Sequence, residues 1–437
     1  MQALLESAQE RDAADPLREF AAAFWFPRRP DGQAQTYFCG HSLGLQPRAA
    51  EAALQQELVA WRERAVSAHF HSHGPDHPAW IDYPDGLAAG LAALVGADAD
   101  DVAVMNSLTV NLHLLMVSFY RPQGRRRKIL VEQAAFPSDR YAVASQIRFH
   151  GLDPDDCLVQ FAPEPGSRLI EEEQVEDWLQ AHGEEVALVL WPGLQYASGQ
   201  AFDLRRIAAA ARTAGARIGF DLAHSAGNLP LRLHDSGCDF AAWCTYKYLN
   251  GGPGAVAAAF VHRRHAGDAA LPRFEGWWGN ERTSRFLMEP RFRPAAGADA
   301  WVVSNPPILA MAPLRASLQL FGEAGMVALR AKSVALTGWL AAHIEALLGD
   351  CLEILTPTDP GRRGCQLSLR VRGRGKTGHQ AGRRLHAHLE RHGVVTDWRE
   401  PDIIRVAPVP LYNRYADCAE FLRHAHDWAE SERSPAS

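Results

Sequence analysis

The sequence predicts an α/β protein in which a large domain with a mostly parallel central sheet is followed by a smaller C-terminal α+β domain. Three observations predict this fold class. The 437 residues are enough for more than one domain. Short apolar runs alternate with helical stretches between about 100 and 262, and this pattern changes after about 311. We therefore expect an N-terminal arm at 1–60, the large domain at 61–310 and the small domain at 311–437.

The strands of the large domain are predicted from runs of consecutive apolar residues, which are typical of a parallel sheet that is covered on both faces. Helical stretches separate several of these runs. One helix is expected at 203–214, ending before Gly215, and another at 110–119, following Ser107. The expected strands are 102–106, 128–132, 157–161, 186–191, 216–221, 240–245 and 255–261.

The small domain is predicted from a different order of elements. Helical stretches at 314–349 and 378–392 flank two strand-like runs, 365–371 and 403–407. We expect the arm at 1–60 to pack against this domain or to reach a partner subunit.

The composition excludes several classes of partner. Hydrophobic residues make up 47% and charged residues 22%, and the net charge of −6 comes without a long basic face, so nucleic acid and acidic membranes are not expected partners. No apolar run approaches the length of a membrane span. The seven cysteines are scattered and form no CxxC pair, which indicates a reducing compartment and predicts a cytoplasmic protein.

A metal site is not expected. His69, His71, His73 and His77 lie close together in the sequence, but this spacing lacks a second set of ligands, and no cysteine lies nearby.

Three groups that follow predicted strands could carry chemistry, because ligands of open α/β sheets bind beyond the carboxyl ends of the strands. Asp221 follows one strand, Tyr246 and Lys247 follow the next, and Ser107 to Thr109 precede a helix. Each has an ordinary structural role when it is taken singly. Together they match pyridoxal phosphate (PLP), which needs a carboxylate for its ring nitrogen, a lysine for its aldehyde and a helix N-terminus for its phosphate. The glycines in 250–254 allow tight turns beside such a cofactor.

The sequence resembles the kynureninase family over most of its length, and the longer motifs are the more specific ones. This resemblance implies fold type I of the PLP-dependent transferases and PLP as cofactor. The similar segments are GHSLGLQP (40–47), NSLTVNLHLLM (106–116), AFPSD (135–139), GFDLAHSAGN (219–228), CTYKYLNGGPG (244–254), GWWGNERTSRF (276–286), SNPPIL (304–309) and IRVAPVPLYN (404–413).

The resemblance also implies roles for individual residues. Lys247 would bond to the cofactor aldehyde, Asp221 would pair with the ring nitrogen, and Tyr246 would transfer a proton to the substrate. The residues expected to hold the cofactor are Leu108, Thr109, Phe136, Ser138, Asp139, Asp221, His224, Tyr246, Lys247, Trp277 and Asn305. Those expected to bind the substrate are Ser42, His73, Ser304, Asn305 and Arg405, with Arg405 on the α-carboxylate because its planar fork suits that group.

The implied reaction is the hydrolysis of L-kynurenine or 3-hydroxy-L-kynurenine to anthranilate or 3-hydroxyanthranilate and L-alanine, in tryptophan catabolism or NAD biosynthesis. His73 and Asn305 would give polar partners to a ring hydroxyl, which favours the 3-hydroxy substrate. We expect a homodimer, as is usual for fold type I. Two alternatives stay open: another enzyme of this fold, such as a cysteine desulfurase or class-V aminotransferase, and a non-catalytic PLP-binding protein.

Two residues depart from the family pattern. His41 stands where the family usually has asparagine, and Pro192 stands where serine is common. Because proline has neither a hydroxyl nor a backbone N–H, we expect weaker or rearranged cofactor anchoring at Pro192.

Overall fold

The computed structural model describes residues 1–74, 77–268, 270–373 and 376–433. The strands are β1 (Phe24–Trp25), β2 (Thr36–Tyr37), β3 (Gln46–Pro47), β4 (Val102–Val104), β5 (Lys128–Glu132), β6 (Leu158–Phe161), β7 (Val186–Pro192), β8 (Arg217–Asp221), β9 (Phe240–Trp243), β10 (Ala258–Val261), β11 (Leu352–Ile354), β12 (Leu367–Val371), β13 (Val394–Val395), β14 (Asp397–Arg399) and β15 (Ile403–Val406). The helices are α1 (Gln2–Ala13), α2 (Ala49–Arg64), α3 (Tyr83–Val95), α4 (Leu108–Phe119), α5 (Pro137–Phe149), α6 (Pro154–Cys157), α7 (Glu172–His182), α8 (Leu204–Thr213), α9 (Leu233–Ser236), α10 (Ile308–Ala324), α11 (Met326–Leu348), α12 (Lys376–Arg391) and α13 (Tyr415–Arg433).

The large sheet contains the seven strands that the sequence predicts. Its order is β4-β10-β9-β8-β7-β5-β6, and every pairing is parallel except those of β10 with β4 and β9. The predicted strand at 102–106 ends early, at Val104, because Asn106 takes a left-handed backbone (φ 51°) that turns the chain into α4.

Both faces of this sheet are buried, which explains why its strands are apolar runs and not alternating patterns. Leu130, Val189 and Phe220 belong to the core on one face, whereas Ile129 and Leu188 belong to the core on the other. Successive side chains of a strand point to opposite faces, so a sheet covered on both sides needs apolar residues at every position.

The small domain has the antiparallel sheet β11-β12-β15-β14, with α11, α12 and α13 packed in the same region. The stretch predicted as helical at 314–349 is not one helix. It is divided between α10 and α11 at Gly325, whose φ of 71° lies in the left-handed region and ends the first helix.

The arm predicted at 1–60 packs against α10, β13 and α13. Helix α1 packs on α13, and the carboxylate of Asp12 accepts the backbone N–H groups of Tyr415 and Ala416 at the start of α13 (2.7 and 2.9 Å). Strand β2 pairs with β13, whereas α2 packs on α10. The boundaries at 60 and 310 stay a prediction. Across the described ranges, no helix combines the length and apolarity needed to cross a bilayer.

Candidate active site

A cavity of about 340 Å³ lies beyond the carboxyl ends of β5, β7 and β8. This is the position at which ligands bind in open α/β sheets. The structure brings to it most of the residues that the sequence predicts for the site. These are Ser42, Leu108, Thr109, Phe136, Ser138, Asp139, Asp221, His224, Tyr246, Lys247 and Arg405.

Lys247 lines this cavity, in the segment after β9. Its Nζ is 3.0 Å from Nε2 of His224 and 6.0 Å from the centre of the Phe136 ring. The N–H of Gly44 donates to the carbonyl of Tyr246 (2.8 Å), and a Cβ on Gly44 would lie 2.3 Å from the carbonyl oxygen of Lys247. Only glycine permits this close approach, so the arm and the lysine segment hold each other in place.

Two buried carboxyl groups face the cavity from different elements. Asp221 ends β8 and accepts the N–H of Ala223 (2.7 Å), and Asp139 lies in the first turn of α5. Burial and the negative charge of Asp221 raise the pKa of Asp139 well above its usual range. The protonated form of Asp139 is therefore favoured, and Asp221 beside it is placed to accept a hydrogen bond from a protonated heterocycle.

The N-termini of α4 and α5 meet at the same cavity. Oγ1 of Thr109 and Oγ of Ser138, one from each helix, are 2.8 Å apart. Neither helix has a side-chain cap. Uncapped N–H groups, two helix dipoles and two hydroxyls are the features that bind a phosphate dianion.

Arg405 occupies a third side of the cavity and is 1% exposed. Its Nε donates to Oδ2 of Asp397 (2.7 Å), and its Nη1 donates to the carbonyl of Tyr196 (3.0 Å). These two contacts fix the plane of the guanidinium, so that its remaining N–H groups are available to a carboxylate ligand.

The residues present fit PLP. A lysine, a carboxylate and a paired helix N-terminus surround one space, as the aldehyde, ring nitrogen and phosphate of that cofactor require. In addition, Nδ1 of His224 is buried and has no hydrogen-bond partner among the described residues, as expected of a ring that faces a bound ligand.

Four of the predicted residues do not reach this cavity within one chain: His73, Trp277, Ser304 and Asn305. The Trp277 ring is 45% exposed, and its Nε1 donates to the carbonyl of Arg285 (2.8 Å). His73 stacks on His77, with ring centres 4.9 Å apart. These segments lie on the surface of the chain, and their predicted roles stay a prediction.

Comparison with known proteins identifies the family. Residues 71–374 match the family model described as Aminotransferase class-V, and residues 329–424 match the Kynureninase C-terminal domain. The kynureninase of Stenotrophomonas maltophilia is 58% identical over 418 residues, which is 96% of each chain. The chain belongs to the kynureninase family. A kynureninase of Xanthomonas campestris pv. campestris is 55% identical over the same share of both chains.

Solved structures confirm the predicted fold class. The cysteine desulfurase CsdA of Escherichia coli superposes with a TM-score of 0.74 at 17% identity, covering 95% of this chain and 98% of that one. The cystine C-S lyase C-DES gives a TM-score of 0.72 at 21% identity, covering 90% and 97%. Together with membership of the kynureninase family, this establishes the type I fold and the PLP dependence that the sequence predicts.

Several residues of this kynureninase-family cavity escaped prediction. Tyr196, Glu132 and Arg399 line it, and Asp397 lies behind Arg405. Asp397 lies directly opposite Arg405 in the hairpin of β14 and β15, which is only weakly marked in the sequence. Two residues differ from the usual family pattern. Pro192 lies opposite Asp221 in the β7–β8 register, and His41 is completely buried in the cavity wall.

Substitution of Thr109 by valine should weaken cofactor binding. It removes a hydroxyl from the phosphate site without changing its shape, and one charge-assisted hydrogen bond corresponds to about a 10- to 100-fold loss of affinity. Titration of the apoprotein with PLP measures this affinity. Thr213→Val, at the exposed end of α8, is the matched control, and equal affinities for the two variants would contradict the assignment.

Proposed function

We propose that this protein is a PLP-dependent hydrolase that converts L-kynurenine, or its 3-hydroxy form, and water to the corresponding anthranilate and L-alanine. The observation that carries the proposal is the meeting of Lys247, Asp221, the Thr109–Ser138 pair and Arg405 in one cavity. Membership of the kynureninase family supports the substrate. The scattered free cysteines support a cytoplasmic location.

The bound cofactor would supply a protonated ring that takes up the electron pair released when the substrate loses its α-proton. Asp221 would keep the proton on the ring nitrogen, because an adjacent negative charge favours the charged ring. Lys247 would hold the cofactor aldehyde, and its free amine would serve as the base that accepts the α-proton of the substrate.

The neighbours of Lys247 have protonation states that suit this work. Burial and the charge of Lys247 lower the pKa of His224 well below its usual range, so its ring is neutral and can share a hydrogen bond with Nζ of Lys247. Burial and Cys244 raise the pKa of Tyr246 above its usual value. Tyr246 is therefore protonated at neutral pH and can donate a proton to the leaving carbon or the substrate carbonyl.

The test is an assay of the PLP-loaded protein with L-kynurenine, followed by anthranilate fluorescence and by the appearance of L-alanine. Both products should form in equal amounts. A parallel assay with L-cysteine tests for desulfurase activity. Release of sulfide from cysteine without cleavage of kynurenine would contradict the proposal.

The cavity itself disfavours a desulfurase. In the described part of the chain, no cysteine lies in the cavity wall, whereas a desulfurase needs a reactive thiolate there. Burial raises the pKa of Cys365 to about 12, and the same cause raises the pKa of Cys39 to about 12, so both are thiols at neutral pH.

We expect the enzyme to prefer 3-hydroxy-L-kynurenine, with His73 and Asn305 as partners of the ring hydroxyl. One hydrogen bond to that hydroxyl corresponds to about a 3- to 10-fold advantage in kcat/KM. Comparing both substrates measures it, and Asn305→Ala should reduce the ratio towards one. A preference for unsubstituted kynurenine would contradict this assignment.

We further propose a two-fold dimer in which His73, Trp277, Ser304 and Asn305 complete the partner's active site. Exposed apolar side chains support it: Phe70 and Trp277 both contact Phe286, with ring centres 5.4 Å apart in each pair. Leu287 and Met288 beside them are 67% and 78% exposed. Contiguous apolar surface of this kind is typical of protein interfaces.

Mixing Lys247→Ala, which should be inactive, with Asn305→Ala, which should be impaired on 3-hydroxy-L-kynurenine, tests this arrangement with that substrate. In a hybrid of Lys247→Ala with Asn305→Ala, one site would combine an intact Lys247 with the partner's intact Asn305, so activity should rise above that of either parent. If both residues served the same site from one chain, the hybrid would contain no intact site. Light scattering of the wild-type protein would show the dimer, and a monomer with full activity would contradict it.

A further inference from the structure

The carboxylate end of the cavity contains a second guanidinium besides Arg405. Arg399 lines the cavity with about a third of its side chain exposed, and its Nε lies 3.0 Å from Oδ2 of Asp397. The same oxygen lies 2.7 Å from Nε of Arg405 and 2.6 Å from Nη2 of Arg405. One carboxylate therefore holds two guanidiniums.

The hairpin of β14 and β15 produces this arrangement. Asp397 and Arg399 are two residues apart on β14, so their side chains share one face of the strand. Asp397 lies directly opposite Arg405 on β15. The three groups are therefore placed by backbone pairing and do not depend on a flexible loop.

The charges of this cluster do not balance. Two guanidiniums and one carboxylate leave a net charge of +1. The nearest imidazole adds nothing, because burial and Arg405 lower the pKa of His41 to about 3, which leaves its ring neutral. His41 is fully buried, its Nε2 lies 3.9 Å from Oδ2 of Asp397, and neither of its ring nitrogens has a hydrogen-bond partner in the part of the chain that the structure describes. One further carboxylate would complete a second ion pair.

Hydrogen-bond capacity leads to the same conclusion. Arg405 has five N–H groups, of which Asp397 engages the one on Nε and the carbonyl of Tyr196 engages one on Nη1. About three N–H groups remain, fewer than the roughly four acceptor positions of a carboxylate. Arg405 alone therefore cannot satisfy a bound carboxylate, and Arg399 can supply the remaining donors.

We propose that Arg399 binds the substrate α-carboxylate together with Arg405, with Asp397 as the positioning carboxylate shared by both guanidiniums. This inference rests on the proposed function for the identity of the substrate. The recognition of an α-amino acid carboxylate can be tested separately.

The experiment is a spectral titration of the PLP-loaded protein with two ligands that differ only in the carboxyl group, L-alanine and L-alaninamide. Arg399→Gln should weaken L-alanine binding about 10- to 100-fold, the value of a charge-assisted pair of hydrogen bonds, and change L-alaninamide binding by less than about 3-fold. Arg399→Lys keeps the positive charge but loses the planar pair of N–H donors, so its loss of L-alanine affinity should be intermediate.

Arg384→Gln is the matched control, because Arg384 forms a similar two-bond pair with Glu432 on the same domain outside the cavity. It should bind both ligands as the wild type does. An equal loss for both ligands in Arg399→Gln, or no loss for L-alanine, would overturn the inference. In turnover, the same variant should raise KM for kynurenine with little change in kcat. If kynurenine is not cleaved at all, the alanine titration still decides the role of Arg399.

Discussion

Replacement of Lys247 by alanine should abolish turnover of kynurenine, lowering kcat by about four orders of magnitude or more, as removal of a covalent catalytic group does in other enzymes. The reason is that the same side chain holds the cofactor and accepts the α-proton, and the described part of the cavity wall offers no other lysine. The protein should also lose the visible absorption that arises when its lysine bonds PLP.

Lys128→Ala is the matched control for this variant. Lys128 begins β5 and pairs with Glu185 at the surface, so its removal changes the same residue type without touching the cavity. It should retain wild-type kcat and absorption. Persistence of the cofactor absorption in Lys247→Ala, together with its loss in Lys128→Ala, would contradict the central assignment.

The second large effect is expected from Asp221→Asn. Asparagine keeps the shape and the contact with the backbone N–H of Ala223 but removes the charge that keeps the cofactor ring protonated. An adjacent opposite charge changes a pKa by about one to three units, so kcat should fall about 10- to 1000-fold. Steady-state kinetics under saturating PLP separate this effect from simple loss of cofactor.

Asp139→Asn provides a comparison within the same pair. Because burial and Asp221 raise the pKa of Asp139 well above its usual range and so favour its neutral form, a neutral amide should be a mild replacement at that position. Its kcat should fall by less than about 10-fold, the value of one neutral hydrogen bond. Equal losses in the two variants would show that both carboxylates carry charge, and would contradict the division of roles.

The fold could be predicted because a sheet covered on both faces leaves a strong pattern, a run of apolar residues that needs no tertiary information to recognise. Lys247 and Asp221 could be placed for a related reason. Both follow such runs, and the carboxyl ends of parallel strands meet at one edge of the sheet. The resemblance to the kynureninase family then indicated the reaction and the substrate, which the positions of residues at strand ends do not define.

The remainder of the site depends on contacts between distant segments. Arg399 gains its position from the register of a hairpin that is weakly marked in the sequence, and Tyr196 contributes a backbone carbonyl, which no residue type reveals. Trp277 and Asn305 lie outside the cavity of one chain, so their roles depend on how two copies associate. The break between α10 and α11 could be predicted from Gly325, because glycine often ends helices.

The contact of α1 with α13 bears on how the protein is made. Helix α1 leaves the ribosome well before α13, and the backbone groups that Asp12 binds belong to Tyr415 and Ala416, which are synthesised some 400 residues later. Strand β2 likewise cannot pair with β13 until that later segment has been synthesised. The segment containing His41 and Ser42, which borders the cavity, follows β2 directly. During translation the large sheet can therefore form early, whereas the active site is completed only after the small domain has been synthesised.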